Sequence, residues 1–233
     1  MSITVKRLSS LSDYETATRV QQLSWGFSDL EILPAHFMRA YESCGEQLAA
    51  FHGGEMVGLA LAYPTDRPHS FLLHMMCTLP NYRNRGIGKE LLARLDISLR
   101  DRGGKNLFWT YDPLVKANSQ LYLNHFNAIG YEVQLDYYGR IHSTEHGSLP
   151  THRLLCFKRL AEDLKLSHAV VPSESLVFEG RLQNRDHFFS DLQHQLRQGL
   201  VVTGSETRGG TTMSFTLSRA SDALLDMITQ HTC

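Results

Sequence analysis

Met76-Cys77-Thr78-Leu79-Pro80-Asn81-Tyr82-Arg83-Asn84-Arg85-Gly86-Ile87-Gly88-Lys89 joins an apolar run to an amphipathic one. Upstream, Ser70–Leu79 reads as a buried strand, which Pro80 ends because it offers no donor to a ladder. Downstream, Ile87, Leu91, Leu92, Leu95 and Leu99 recur at helical spacing, and Gly103-Gly104 closes the helix. Between them sits Arg83-x-x-Gly86-x-Gly88. Glycines let the backbone approach an anion closely, and a helix N-terminus behind them offers N–H groups and a positive dipole end. Arg83, Arg85 and Lys89 add charge suited to phosphates. Neither a G-x-x-x-x-G-K-[ST] loop nor a G-x-G-x-x-G turn occurs elsewhere in the chain. Taken alone, the same stretch also fits a tight strand-to-helix turn with solvated arginines.

On the N-terminal side, Ser2–Leu8 reads as a strand, and Ser12-x-x-Glu15 has the spacing of a capping box opening a helix to about Trp25. Pro34 starts a second helix, through about Ser43, which Gly45 stops. Gln47–His52 and Met56–Tyr63 flank Gly53-Gly54 and predict a hairpin. On the other side, Leu107–Tyr111 predicts a strand, Ala117–Ile129 a helix before Gly130, and Tyr131–Tyr138 and Arg153–Leu160 two more strands. Residues 1–160 therefore read as an α/β domain with a mixed sheet. Residues 161–233 form a small α+β extension: a helix over Arg181–Arg197, a hairpin of Leu200–Thr203 and Thr211–Leu217 about Gly209-Gly210, and a last helix over Arg219–Gln230 capped by Ser218.

The whole chain has 233 residues, enough to bury a core without staples. Its 42% hydrophobic and 20% charged content argues against disorder. With 23 Lys+Arg against 24 Asp+Glu there is no chain-wide basic field, so neither nucleic acid nor an anionic membrane is an expected partner. No apolar run approaches the roughly 20 residues of a membrane span, and Met1–Glu15 carries no apolar leader. Four cysteines without C-x-x-C spacing suit a reducing compartment. The expectation is a soluble cytoplasmic protein.

The stretch Met76 to Gly88 resembles the GNAT (Gcn5-related) N-acyltransferase superfamily, whose fourth strand and third helix carry a pattern like L-x-V-x-P-x-Y-R-x-x-G-x-G. The element order over residues 1–160 is similar to that fold, a mixed, mostly antiparallel sheet flanked by helices. Trp109-Thr110-Tyr111-Asp112-Pro113-Leu114, Asn118, His74 and the Arg181–Thr203 tail also look like a poorly characterised bacterial subgroup. The resemblance implies acetyl-CoA or another acyl-CoA as cosubstrate, lying in a split between strands four and five. Backbone groups of Met76, Cys77 and Thr78 would pair with its pantetheine arm, with the Met76–Cys77 N–H region holding the oxyanion. Backbone N–H groups of Asn84, Arg85, Gly86, Ile87, Gly88 and Lys89 would wrap its pyrophosphate, and Asn118 would contact its arm or phosphates. The acceptor would be a primary amine of a small molecule or amino acid. A protein lysine or N-terminus is the alternative acceptor, and a catalytically weak CoA-binding sensor or scaffold the alternative role. The resemblance also makes a homodimer an expectation.

An ammonium near pKa 10.4 must lose a proton before it attacks a thioester, so a base is required. Alternation back from Thr78 and Met76 puts His74 on the face turned to the cofactor, where an imidazole suits that role; a satisfied core histidine is the competing reading. For the general acid, the family's tyrosine position counts back from Gly130-Tyr131 to Phe126, which has no proton to give. Tyr122, one turn earlier, is the substitute candidate, against plain core packing. Asp112 is a candidate for the acceptor's ammonium, and Trp25 and Asp29 for the acceptor pocket. No metal is expected: His142, His146 and His152 sit in a loop without supporting ligands. Cys77 reads as an inert buried thiol.

Overall fold

The computed structural model describes residues 2–141, 143, 149–162, 170–181, 184–208 and 212–231. The chain divides into two compact units, Met1–Lys105 with Arg140–Leu149, and Asn106–Gly139 with Pro150–Cys233. His142, His146 and the Gly209-Gly210 turn lie outside the described residues.

In the first unit the strands β1 (Ile3–Arg7), β2 (Glu46–His52), β3 (Glu55–Pro64) and β4 (Ser70–Thr78) lie in chain order, each antiparallel to the next. The β2–β3 turn takes Gly53 at φ 59° and Gly54 at φ 88°, a pair of left-handed residues that glycine adopts at little cost. Helices α1 (Leu11–Trp25), α2 (Ala35–Ala40) and α3 (Ile87–Asp101) cover the sheet. All five apolar positions that predicted α3 are buried. Gly58 faces α3, since a Cβ there would stand 3.3 Å from Ile87 and 3.4 Å from Leu91. Tyr63, of opposite parity on β3, points to the other face and meets Phe37 and Tyr41 in and beside α2.

Two local expectations are corrected. The capping box of α1 belongs to Ser10 and Asp13, not Ser12 and Glu15: Asp13 N–H donates to Ser10 Oγ at 3.1 Å, and Ser10 N–H donates to Asp13 Oδ2 at 3.2 Å. Both motifs are Ser-x-x-acid in register with the helix, and the earlier one wins because Ser10 is already extended at φ −120°. Helix α2 stops at Ala40, short of Ser43.

The second unit orders its strands β5 (Asn106–Tyr111), β7 (Arg153–Arg159), β6 (Ile129–Gln134), β9 (Leu200–Arg208), β10 (Thr212–Ala220) and β8 (Val170–Arg181), all neighbours antiparallel. β8 has no counterpart in the sequence reading. Helices α5 (Arg185–Arg197) and α6 (Asp222–His231) start later than expected, because Arg181 ends β8 and Arg219 lies in β10, and Ser221 rather than Ser218 caps α6 by accepting from Leu224 N–H at 3.2 Å. A core of Phe108, Ile129, Phe157, Val201, Leu224 and Ile228 joins β5, β6, β7, β9 and α6. The helix expected over Ala117–Ile129 is instead one α-turn, α4 (Lys116–Ser119), followed by a π-turn over Gln120–His125. Phe126 N–H donates to Leu121 O, five residues back, at 2.9 Å. Among the described residues no helix is long and apolar enough to cross a membrane.

Candidate active site

In the first unit, β4 delivers the chain to an exposed anion cradle. Pro80–Tyr82 forms a single 3-10 turn, and the next residues reverse direction through Asn84 at φ 62° and Gly86 at φ 82°. A Cβ on Gly86 would meet no atom within 4 Å, so its glycine is required by conformation and not by space. Gly86 is the N-cap of α3 and has no side chain to satisfy the helix. Intrahelical bonding begins with Glu90 N–H donating to Gly86 O, which leaves the N–H groups of the first turn without an intrahelical acceptor. Asn84, Arg85, Gly86 and Lys89 are exposed, Gly88 is half-buried, and Ile87 is buried beneath them. Free backbone amides, a helix dipole and two exposed cations thus fall within one exposed turn, a donor set suited to a pyrophosphate.

Arg83 plays a different part from Arg85 and Lys89. Its Nη2 donates to Ser24 O at 2.8 Å and its Nε to Thr78 O at 3.3 Å, so its guanidinium holds the turn to the ends of α1 and β4. Arg85 lies over the Tyr82 ring, whose hydroxyl donates to Glu55 at 2.8 Å.

The β3–β4 ladder fixes which backbone groups of β4 are consumed. Leu79 N–H donates to Val57 O at 2.9 Å, and Cys77 lies opposite Leu59. By alternation Cys77 turns its N–H toward β3, whereas Met76 and Thr78 turn theirs away from it. Of the pair expected to hold an oxyanion, Met76 therefore carries the outward donor. Cys77 is buried.

His74 interrupts this ladder. Leu61 pairs with Met75 and the adjacent Ala62 with Leu73, leaving His74 as the extra residue of a β-bulge. The bulge resets the alternation, so the expectation that His74 shares a face with Met76 and Thr78 does not hold. It shares instead the face of Leu72 and Met75, on which its ring lies 6.2 Å from that of Tyr63. The imidazole keeps contact with solvent, while the atoms packed around it desolvate the charged form and lower its pKa. Burial likewise pushes the Tyr63 phenol up.

Trp25 is the last residue of α1, and Asp29 lies four residues beyond it. Trp25 stacks on Phe27 at 5.0 Å, and Asp29 is exposed and accepts from Gln22 at 2.8 Å.

The second unit holds the other expected residues. Asn118 is half-buried on α4. Tyr122 is buried on the π-turn, its ring 5.0 Å from Tyr111 and 5.2 Å from Trp109. Phe126 is buried against Trp109. Asp112, the candidate for the acceptor's ammonium, is buried. Its Oδ2 meets Arg185 Nη2 at 2.8 Å, and its Oδ1 accepts from Leu114 N–H at 3.0 Å. Arg185 escaped the sequence reading because the pair spans 73 positions, 185 minus 112, with no local signal. His152 is buried and bonds Asp186 at 3.1 Å. Among the described residues no group of three His, Cys, Asp or Glu could hold a metal ion.

The family model for the acetyltransferase (GNAT) family matches residues 13–126. No curated protein matches the sequence. Among solved structures, the ribosomal-protein-S18-alanine N-acetyltransferase from Escherichia coli aligns with a TM-score of 0.55 at 15% identity, over 69% of this chain and 96% of its own. An acetyltransferase of the GNAT family from Streptococcus pneumoniae gives 0.55 at 18%, over 69% of this chain and 100% of its own. A GNAT-family protein from Desulfovibrio desulfuricans gives 0.54 at 19%, with the same coverage, 69% and 100%. At such identities these structures establish the fold, a mostly antiparallel sheet flanked by helices, to which this chain adds C-terminal strands and a helix. With the strand–turn–helix cradle of Met76–Lys89 inside the matched segment, residues 13–126 of this chain form a GNAT acetyltransferase domain.

Proposed function

We propose that this protein is an acyl-CoA-dependent N-acyltransferase. It transfers an acetyl or other short acyl group to a primary amine of a small molecule or amino acid, by direct attack in a ternary complex. The observation that carries the proposal is the uncapped N-terminus of α3 behind the left-handed residues Asn84 and Gly86. That turn binds the phosphates of CoA through backbone N–H groups, with Arg85 and Lys89 supplying charge. Arg83 keeps the turn in shape through Ser24 O and Thr78 O.

The outward backbone groups of Met76 and Thr78 pair with the pantetheine arm in the manner of an added strand. The Met76 N–H stabilises the negative charge that develops on the thioester carbonyl oxygen. His74, neutral at pH 7 because its pKa is lowered, takes the proton that the amine must shed, directly or through water. Asn118 contacts the cofactor, and Tyr122 is the candidate donor to the departing thiolate. Trp25 and Asp29 line the acceptor pocket. We further propose residues 1–160 as the catalytic domain, 161–233 as its extension, and a cytoplasmic homodimer as the working form.

Calorimetric titration with CoA tests the cofactor assignment. Wild type binds, and Gly86→Trp, which sets a bulky side chain on the turn, loses binding while its thermal unfolding still shows a folded protein. Equal affinity in the two would overturn the assignment.

A further inference from the structure

Segment 112–125 of the second unit, which carries Asn118 and Tyr122, is fastened at both ends by residues from beyond position 160. At its start, Asp112 accepts from Arg185 at the head of α5, at 2.8 Å, with both side chains 9% exposed. The same carboxylate accepts from Leu114 N–H at 3.0 Å, and Val115 N–H donates to Asp112 O at 3.1 Å, so the ion pair fixes the turn from which α4 springs. Arg185 is itself held, its guanidinium 5.1 Å from the Phe189 ring centre and its Nη2 3.4 Å from Pro150 O.

At the other end, Asn124 clasps β9 with both amide atoms. Its Nδ2 donates to Ser205 O at 2.7 Å, and its Oδ1 accepts from Ser205 N–H at 3.1 Å. This clasp sits on the π-turn, a rare geometry in which Phe126 N–H donates five residues back to Leu121 O. Between the two fastenings, Ser119 Oγ donates to Pro113 O at 2.6 Å and closes the segment on itself.

We infer that the C-terminal elements brace segment 112–125 in the shape that contacts the cofactor, with Arg185 and Asn124 as positioning residues. The inference rests on the proposal that Asn118 contacts CoA. It assigns residues beyond 160 a role in cofactor binding, and it gives Asp112 a task other than holding the acceptor. Neither Arg185 nor Asn124 touches the reacting atoms. Each acts through the backbone it fastens.

The test measures CoA affinity by calorimetry and backbone amide exchange in the full chain, for wild type, Arg185→Gln, Asn124→Ala and the double variant Asp112→Asn/Arg185→Gln. Asn124 is exposed, so Asn124→Ala folds even where Arg185→Gln fails. Expected are CoA affinities lower by roughly tenfold in each single variant, with faster exchange over residues 114–125 and unchanged exchange in α3. The double variant recovers part of the affinity lost in Arg185→Gln, because it removes the buried carboxylate left without its partner. A mere loss of global stability would speed exchange everywhere and leave the affinity of the folded protein unchanged. Asn124→Ala with wild-type affinity and wild-type exchange over 114–125 would overturn the inference. If wild type itself binds no CoA, the cofactor proposal fails, and exchange alone decides the brace: faster over 114–125 in the variants supports it, unchanged contradicts it.

Discussion

The rings of His74 and Tyr63 stand 6.2 Å apart because the bulge in β4 turns His74 away from the face of Met76. Desolvation by the atoms packed around the ring disfavours the imidazolium, so the His74 pKa is lowered and the neutral base persists to more acidic pH than an ordinary histidine. On the acid side kcat/KM falls as pH drops through a value below the ordinary histidine pKa, because protonated His74 cannot accept the amine's proton, and above it this group imposes no further change. His74→Ala lowers kcat/KM by roughly 10²–10⁴ and removes that acid limb. A pH–rate profile of kcat/KM for the two proteins checks both statements, and an unchanged acid limb in the variant would assign the base elsewhere.

Within the cradle, the three cations separate by task. Arg85→Ala and Lys89→Ala weaken CoA binding with a smaller dependence on salt, and leave thermal stability within about 0.5 kcal/mol, as expected of exposed positions. Arg83→Ala affects binding and stability together, because its guanidinium ties Ser24 O to Thr78 O. Paired calorimetry and thermal melts separate the two patterns.

The start of α1 gives a prediction independent of function. Ser10→Ala removes the side chain that accepts from Asp13 N–H and costs about 1 kcal/mol. Ser12→Ala, at the position that the sequence favours for the cap, changes stability by less than about 0.5 kcal/mol. Denaturant midpoints at constant slope measure the difference. Equal effects would contradict the assigned cap.

Two glycines hold neighbours at a distance no side chain permits. A Cβ on Gly130 would lie 2.5 Å from Leu154, and one on Gly58 2.8 Å from Cys77 O. Alanine at either site costs about 1–3 kcal/mol through overpacking. Gly54→Ala meets nothing within 4 Å and suffers only its left-handed φ of 88°, a cost of about 1–2 kcal/mol.

The parts of this fold that could be read from sequence are those set by local periodicity. Five apolar residues at helical spacing placed α3, and Gly53-Gly54 placed the β2–β3 hairpin, because one element's own pattern decides each. The face of His74 could not be read this way. A bulge is a property of two strands, and one skipped residue reverses an alternation that looks unbroken in a single chain. The π-turn was hidden for a related reason: Gln120–His125 has ordinary helical residues, and its outside support comes from Ser205, 81 positions away. The same distance problem conceals the Asp112–Arg185 pair. The cradle was legible because glycines, cations, a prolyl stop and a helix start fall within fourteen consecutive residues, Met76 to Lys89.

A free-thiol assay of CoA release reads acyl transfer from acyl-CoA to an amine. Acetyl-, propionyl- and succinyl-CoA are offered against amino acids, polyamines, amino sugars and lysine-bearing peptides, with His74→Ala alongside. An N-acyltransferase gives thiol release that requires both an acyl-CoA and a small amine, at a rate that collapses in the variant. Tight CoA binding with no amine-dependent release from any pair would contradict it and leave a CoA-binding protein without transferase activity.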